Sequence, residues 1–132
     1  MQRRLANEAD LSFIFDTYLN TWRRSPYAGT IPNHLYFDTQ RVTLEDLIAR
    51  GAVLEVACPE EYPRLIQGWV CWELKDETPV LHYAYERPGY HTHAFLIDGL
   101  PGSRPGFVTH RLNIKELRAW KHLPEIARRK SL

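Results

Sequence analysis

Apolar residues at Leu11, Ile14, Phe15, Tyr18, Leu19 and Trp22 recur at the three- and four-residue spacing of one helical face. That spacing predicts an amphipathic helix. Asn7, with Asp10 three residues later, resembles a capping pair at its start, and Pro26 stops it. Residues 23–37 carry Pro26, Gly29, Pro32 and Asn33 and read as an irregular loop rich in Tyr27, His34, Tyr36 and Phe37. A second helix is expected over Thr39–Arg50. Asp38 is its N-cap, Leu44, Leu47 and Ile48 are its buried stripe, and Gly51 stands where a C′ glycine belongs.

The period then changes. Ala52–Cys58 is short, apolar and β-branched, and reads as a strand. Pro59–Pro63 is a turn, and Leu65–Leu74 is a second strand, antiparallel to the first because the connection is short. After a turn over Lys75–Pro79, Val80–Tyr85 is a third strand. It is apolar or aromatic on both faces, as a strand covered on both sides would be. Ala94, Phe95, Leu96 and Ile97 predict a short helix within Tyr90–Leu100, ended near Gly99 and Pro101. Gly106–His110 is a brief strand. Asn113 with Glu116 predicts a capped helix whose stripe is Ile114, Leu117 and Trp120. Pro124 breaks or redirects the chain, and Arg128–Lys130 reads as a frayed end. The order α-α-β-β-β-α-β-α implies an α/β (α+β) domain, a mixed sheet with helices on both faces, over residues 1–132.

Composition narrows the class more than the function. The 132 residues fit one domain, and 44% hydrophobic with 25% charged residues is ordinary for a globular chain. A net charge of +1 gives no general attraction to nucleic acid or an anionic membrane. No apolar run reaches the ~20 residues of a membrane helix, and the first residues lack a signal peptide's apolar stretch. A soluble, cytoplasmic protein is expected. Cys58 and Cys71 are the two cysteines, too few for a disulfide scaffold. With His91 and His93 they lack the close-set pairs of a tetrahedral zinc site, so no metal is expected. The short basic clusters Arg23-Arg24 and Arg128-Arg-Lys130 read as solvated faces rather than a nucleic-acid surface.

Several segments, taken together, resemble the GNAT N-acetyltransferase family, most closely its small bacteriophage-encoded members. Leu5–Trp22 resembles the first helix of these proteins, and Ile66-Gln-Gly-Trp-Val70 their third strand. His82-Tyr-Ala-Tyr85 is similar to the end of their fourth strand, and Val108-Thr-His110 to their fifth. The resemblance implies acetyl-CoA as cofactor, lying between the strands 80–85 and 106–110, with a bacterial host cytoplasm as location. It implies that backbone N–H groups near Tyr83, Ala84 and Tyr85 polarise the thioester carbonyl. The coenzyme phosphates would meet the segment His91, Thr92, His93, Ala94, Phe95 and Leu96. The family places glycines there so that backbone N–H groups approach phosphate. Here His91, Ala94 and Leu96 stand at the positions of the loop's arginine or glutamine and its two small residues, so weak coenzyme binding is expected. No tyrosine follows Tyr90, so the family's late tyrosine acid has no counterpart.

Two side chains could carry the chemistry. Glu86, at the end of the 80–85 strand, could serve as base toward an amine; a solvated carboxylate paired with Arg87 is the plainer reading. His110 could serve as acid, or be a buried, hydrogen-bonded histidine. Trp69 and Trp72 are expected in the core. Tyr27 and Tyr36 could instead contact an amine acceptor or host protein. Two functions therefore stand: acetyl transfer from acetyl-CoA to an amine, or a non-catalytic GNAT-fold phage protein that binds a host macromolecule.

Overall fold

The computed structural model describes residues 1–23, 42–110, 112 and 114–128. One mixed sheet runs in chain order: β1 (Gln2–Leu5), β2 (Val53–Cys58), β3 (Gly68–Lys75), β4 (Thr78–Glu86), β5 (Phe107–Val108) and β6 (Lys121–His122). The junctions from β1 to β4 are antiparallel, and β4–β5 and β5–β6 are parallel. The helices are α1 (Leu11–Arg23), α2 (residues 42–49), α3 (His93–Asp98) and α4 (Glu125–Arg128). The 80–85 and 106–110 segments pair in parallel, and the α/β class and the mixed sheet match the sequence expectation. The element order does not, because β1 and β6 extend the sheet.

Both faces of the sheet are covered by apolar packing. On one, Ile14, Tyr18 and Leu19 of α1 and Leu44 and Leu47 of α2 pack with Leu54, Val56, Trp69, Cys71 and Tyr83. On the other, Leu96 and Ile97 of α3 join Ala57, Val70, Leu81, Leu100, Val108 and Leu117. The predicted start of the first helix and the predicted stop of the second both hold. Asn7 and Asp10 form a capping box, heading a 3-10 turn over Glu8–Asp10 that leads into α1. Gly51, at φ +104°, ends α2 in a Schellman turn: its N–H donates to Ile48 O and that of Ala52 to Leu47 O. Asp38 and the start of the predicted second helix lie outside the described residues.

The sequence reading differs from the structure at both ends. Gln2–Leu5 has no apolar alternation, yet it pairs along β2, because charge fastens it. Arg3 donates to both carboxylate oxygens of Glu55 at 2.8 and 2.9 Å and to Leu96 O at 2.6 Å, and Arg4 pairs with Asp10. The stripe Ile114–Trp120 forms a 3-10 turn over Lys115–Leu117, not a longer helix. Its chain then extends to add Lys121–His122 beside β5. Pro124 precedes a helix instead of breaking one, as suits a proline at a first turn, and α4 buries Ile126.

The hairpin of β3 and β4 holds the irregularity that shapes the site. Asp76 (φ 50°) and Glu77 (φ 65°) make the left-handed two-residue turn that the twist of paired strands favours. Beyond it Leu81 pairs with Trp72 and Tyr83 with Cys71, so His82 is the extra residue of a β-bulge. Tyr83 therefore faces α1 although Leu81, two residues earlier, faces α3.

Candidate functional site

β4 and β5 part company early. Val80 pairs with Phe107 and Leu81 with Val108, and the Thr109 N–H donates to Leu81 O at 3.2 Å. β5 ends there while β4 runs on to Glu86. Arg87 N–H donates to Gln67 O at 2.8 Å. Backbone groups alternate along a strand, so Tyr85 and Tyr83 turn theirs to β3 and Ala84 turns its own to the side where β5 has stopped. Of the predicted thioester-facing residues, Ala84 is thus the one with backbone groups toward the side where β5 has ended. Tyr83 and Tyr85 present side chains to the α1 face: Tyr83 meets Tyr18 edge-on, and Tyr85 stacks on Trp69 with centroids 6.4 Å apart.

The segment 91–96 starts α3 beside the end of β4. Its N-terminal N–H groups are where an anion would bind, and a side chain of the chain already takes one of them. Glu86 Oε2 accepts from His93 N–H at 2.8 Å, with His93 Nδ1 3.8 Å away. Thr92 is fully buried over Gly68, where an added Cβ would meet Thr92 Oγ1 at 2.2 Å and Tyr85 O at 2.8 Å. Leu96 is fully buried in the α3-side core, so its side chain serves packing. His91, Ala94 and Phe95 are exposed. Burial lowers the pKa of His93, against the charges of Glu86 and Glu116.

A hydrogen-bonded file of polar side chains crosses the buried part of β4. Arg50 Nη2 donates to Glu73 Oε1, which also lies 2.6 Å from His82 Nε2. His82 Nδ1 is 3.0 Å from Thr109 Oγ1, and Thr109 Oγ1 is 2.9 Å from His110 Nδ1. His110 Nε2 is 2.9 Å from the Tyr83 hydroxyl, to which the Tyr18 hydroxyl donates at 3.1 Å. Burial pushes Glu73 up, but hydrogen bonds from His82 and Arg50 outweigh it and hold the carboxyl below its ordinary range. Burial lowers His82 despite Glu73. Burial, then the neighbouring His82, pushes His110 down to about 4. Glu73 is therefore ionised and both imidazoles neutral near pH 7.

The two predicted acid–base residues are not brought together. Glu86 faces α3, whereas His110 lies against Tyr83 on the α1 face. Trp69 is core, and Trp72 Nε1 donates to Glu55 at 2.7 Å. Tyr27 and Tyr36 lie outside the described residues. Cys58 and Cys71 are both buried, and burial raises the Cys71 thiol pKa. Among the described residues no group of three His, Cys, Asp or Glu side chains could hold a metal ion, and no helix is long and apolar enough to cross a membrane. Arg50, Glu73 and Tyr18 were not legible as site residues. The available signal was Glu73 itself, a carboxylate within the apolar run Val70–Leu74.

No protein-family model and no curated protein matches the chain. Among solved structures it is similar to the crystal structure of the PaiA N-acetyltransferase from Thermoplasma acidophilum in complex with coenzyme A. The TM-score is 0.48 and the identity 17%, over 70% of this chain. The chain spans 62% of the length of that structure.

Proposed function

We propose that the chain is a GNAT-like N-acyltransferase that moves the acetyl group of acetyl-CoA to an amine. The observation that carries this reading is the end of the β4–β5 pairing at Leu81 and Val108, which leaves the Ala84 backbone directed to the side of β4 where β5 has stopped. An N–H there can polarise a thioester carbonyl where charge develops on its oxygen. Phosphates would then meet the backbone of 93–95, next to the Glu86 carboxylate.

That carboxylate also supports the second reading, a partner-binding protein in which the coenzyme site is closed. Titration calorimetry with acetyl-CoA, on wild type and Glu86→Gln, separates the two. The acyltransferase reading expects weak binding by wild type. It expects roughly 5-fold tighter binding by the variant, the ~1 kcal/mol of a like charge removed a few ångströms from phosphate. No binding by either form would leave the partner-binding reading. A 10²–10⁴-fold fall in turnover of the variant, the usual cost of a lost general base, would return Glu86 to the role of base.

A further inference from the structure

We infer that the buried side chains from Tyr18 to Glu73 form a one-way hydrogen-bonded file that makes His110 Nε2 the proton acceptor of the site, reached through the Tyr83 hydroxyl. The inference rests on the acyl-transfer reading and adds to it the path of the amine proton.

The direction of the file follows from its two ends. Glu73 is a carboxylate bound by Arg50 and can only accept, so His82 Nε2 carries the proton toward it. A neutral His82 then has an accepting Nδ1, so the Thr109 hydroxyl donates to it. Thr109 Oγ1 in turn accepts from His110 Nδ1–H. The same N–H faces His82 O at 3.2 Å, a carbonyl that can only accept. Two independent acceptors therefore place the proton of His110 on Nδ1 and leave Nε2 with a lone pair. That lone pair receives the Tyr83 hydroxyl, and the Tyr83 oxygen receives that of Tyr18. Among the described residues, the titratable groups facing His110 include His82 and Tyr83 of β4, His122 of β6 and, through Tyr83, Tyr18 of α1.

The step balances without a further reactant. As the amine nitrogen bonds to the acyl carbon, its proton passes to the Tyr83 oxygen and the Tyr83 hydroxyl proton passes to His110 Nε2. When the carbon–sulfur bond breaks, the imidazolium proton returns through Tyr83 to the thiolate. Thr109, His82 and Glu73 are positioning residues: they hold the ring and its tautomer and touch no substrate.

Two measurements on the full chain test this. Long-range proton–nitrogen spectra of the ¹⁵N-labelled protein at pH 7 should show His82 as the Nε2–H tautomer and His110 as the Nδ1–H tautomer, both neutral. His110 protonated on Nε2, or His82 on Nδ1, overturns the file whatever the activity. Transfer from acetyl-CoA to a lysine-containing peptide is then followed against pH. Tyr83→Phe should lower kcat by roughly 10²-fold, the low end for a lost proton transfer. Thr109→Val should shift the acidic limb of the kcat/KM profile and mix the His82 tautomers, and Thr109→Ser should restore both. Equal profiles for Val, Ser and wild type overturn the positioning role. Transfer unaffected by Tyr83→Phe overturns the inference while the acyltransferase reading stands. Binding of acetyl-CoA with no transfer by wild type ends the proton-accepting role together with that reading.

Discussion

At His110 the fold holds a neutral ring where a free histidine would titrate near 6.5, and His82 behaves alike. Both pKa values are lowered on folding, so the unfolded chain takes up protons first as pH falls. Stability is full above about 6.5 and declines as pH drops toward the folded value, about 4 for His110. Each such histidine contributes a slope of roughly 1.4 kcal/mol per pH unit within that window. Urea midpoints between pH 7.5 and 4.5 should fall steadily; a flat profile down to pH 5 would show the rings free to charge. Gly68 is a second sensitive position. A methyl there meets Thr92 Oγ1 and Tyr85 O well inside contact distance. Gly68→Ala should lower stability by about 1–3 kcal/mol, read in the same denaturation experiment. Paired with Thr92→Ala it should recover part of the loss.

Individual elements differ in how openly the sequence declares them. α1 and α2 were legible because their apolar stripes and end residues agree, and β2, β3 and β4 because apolar runs alternate with turn residues. β1 and β6 were not legible. One is fastened by Arg3 to a carboxylate distant in sequence, Glu55, and by Arg4 to Asp10, and the other is two residues long. The stripe Ile114–Trp120 misled because three apolar side chains at helical spacing also fit one 3-10 turn followed by extended chain. In α3 the positions expected to approach phosphate are divided: His91, Ala94 and Phe95 look outward, and Leu96 looks into the core. Leu96→Ala should therefore cost about 2–5 kcal/mol, the range for a buried leucine, with little direct effect on coenzyme binding. A thermal melt beside a coenzyme titration distinguishes packing from contact. Of the candidate site, Glu86 and His110 were singled out from the sequence for their side chains, and Tyr83 only for its backbone. Their partners were not, because a file joining β3, β4, α1 and the end of β5 exists only after the sheet has formed.

Across the molecule, Arg3 ties distant parts together. Its guanidinium joins β1 to Glu55 of β2 and to the Leu96 carbonyl of α3, while Glu55 also holds the Trp72 indole. Removing it strands a carboxylate and a carbonyl that are mostly shielded from water. Arg3→Ala should cost roughly 1–3 kcal/mol, the penalty for unsatisfied partly buried groups. It should also speed amide exchange in Gln2–Leu5 and at the end of α3 together. Faster exchange in β1 alone would mean that α3 is held independently.

The β3–β4 hairpin has an arithmetic of its own. β3 has eight residues and β4 nine, yet Lys75 meets Thr78 at one end and Gly68 meets Glu86 at the other. Strike out His82 and the ladder closes with every remaining partner unchanged, each side chain still on its present face. In the sheet's own count His82 is surplus, present for its two ring nitrogens and for nothing the strands require. A chain lacking that one residue should keep its register while leaving Glu73 and Thr109 with no imidazole between them.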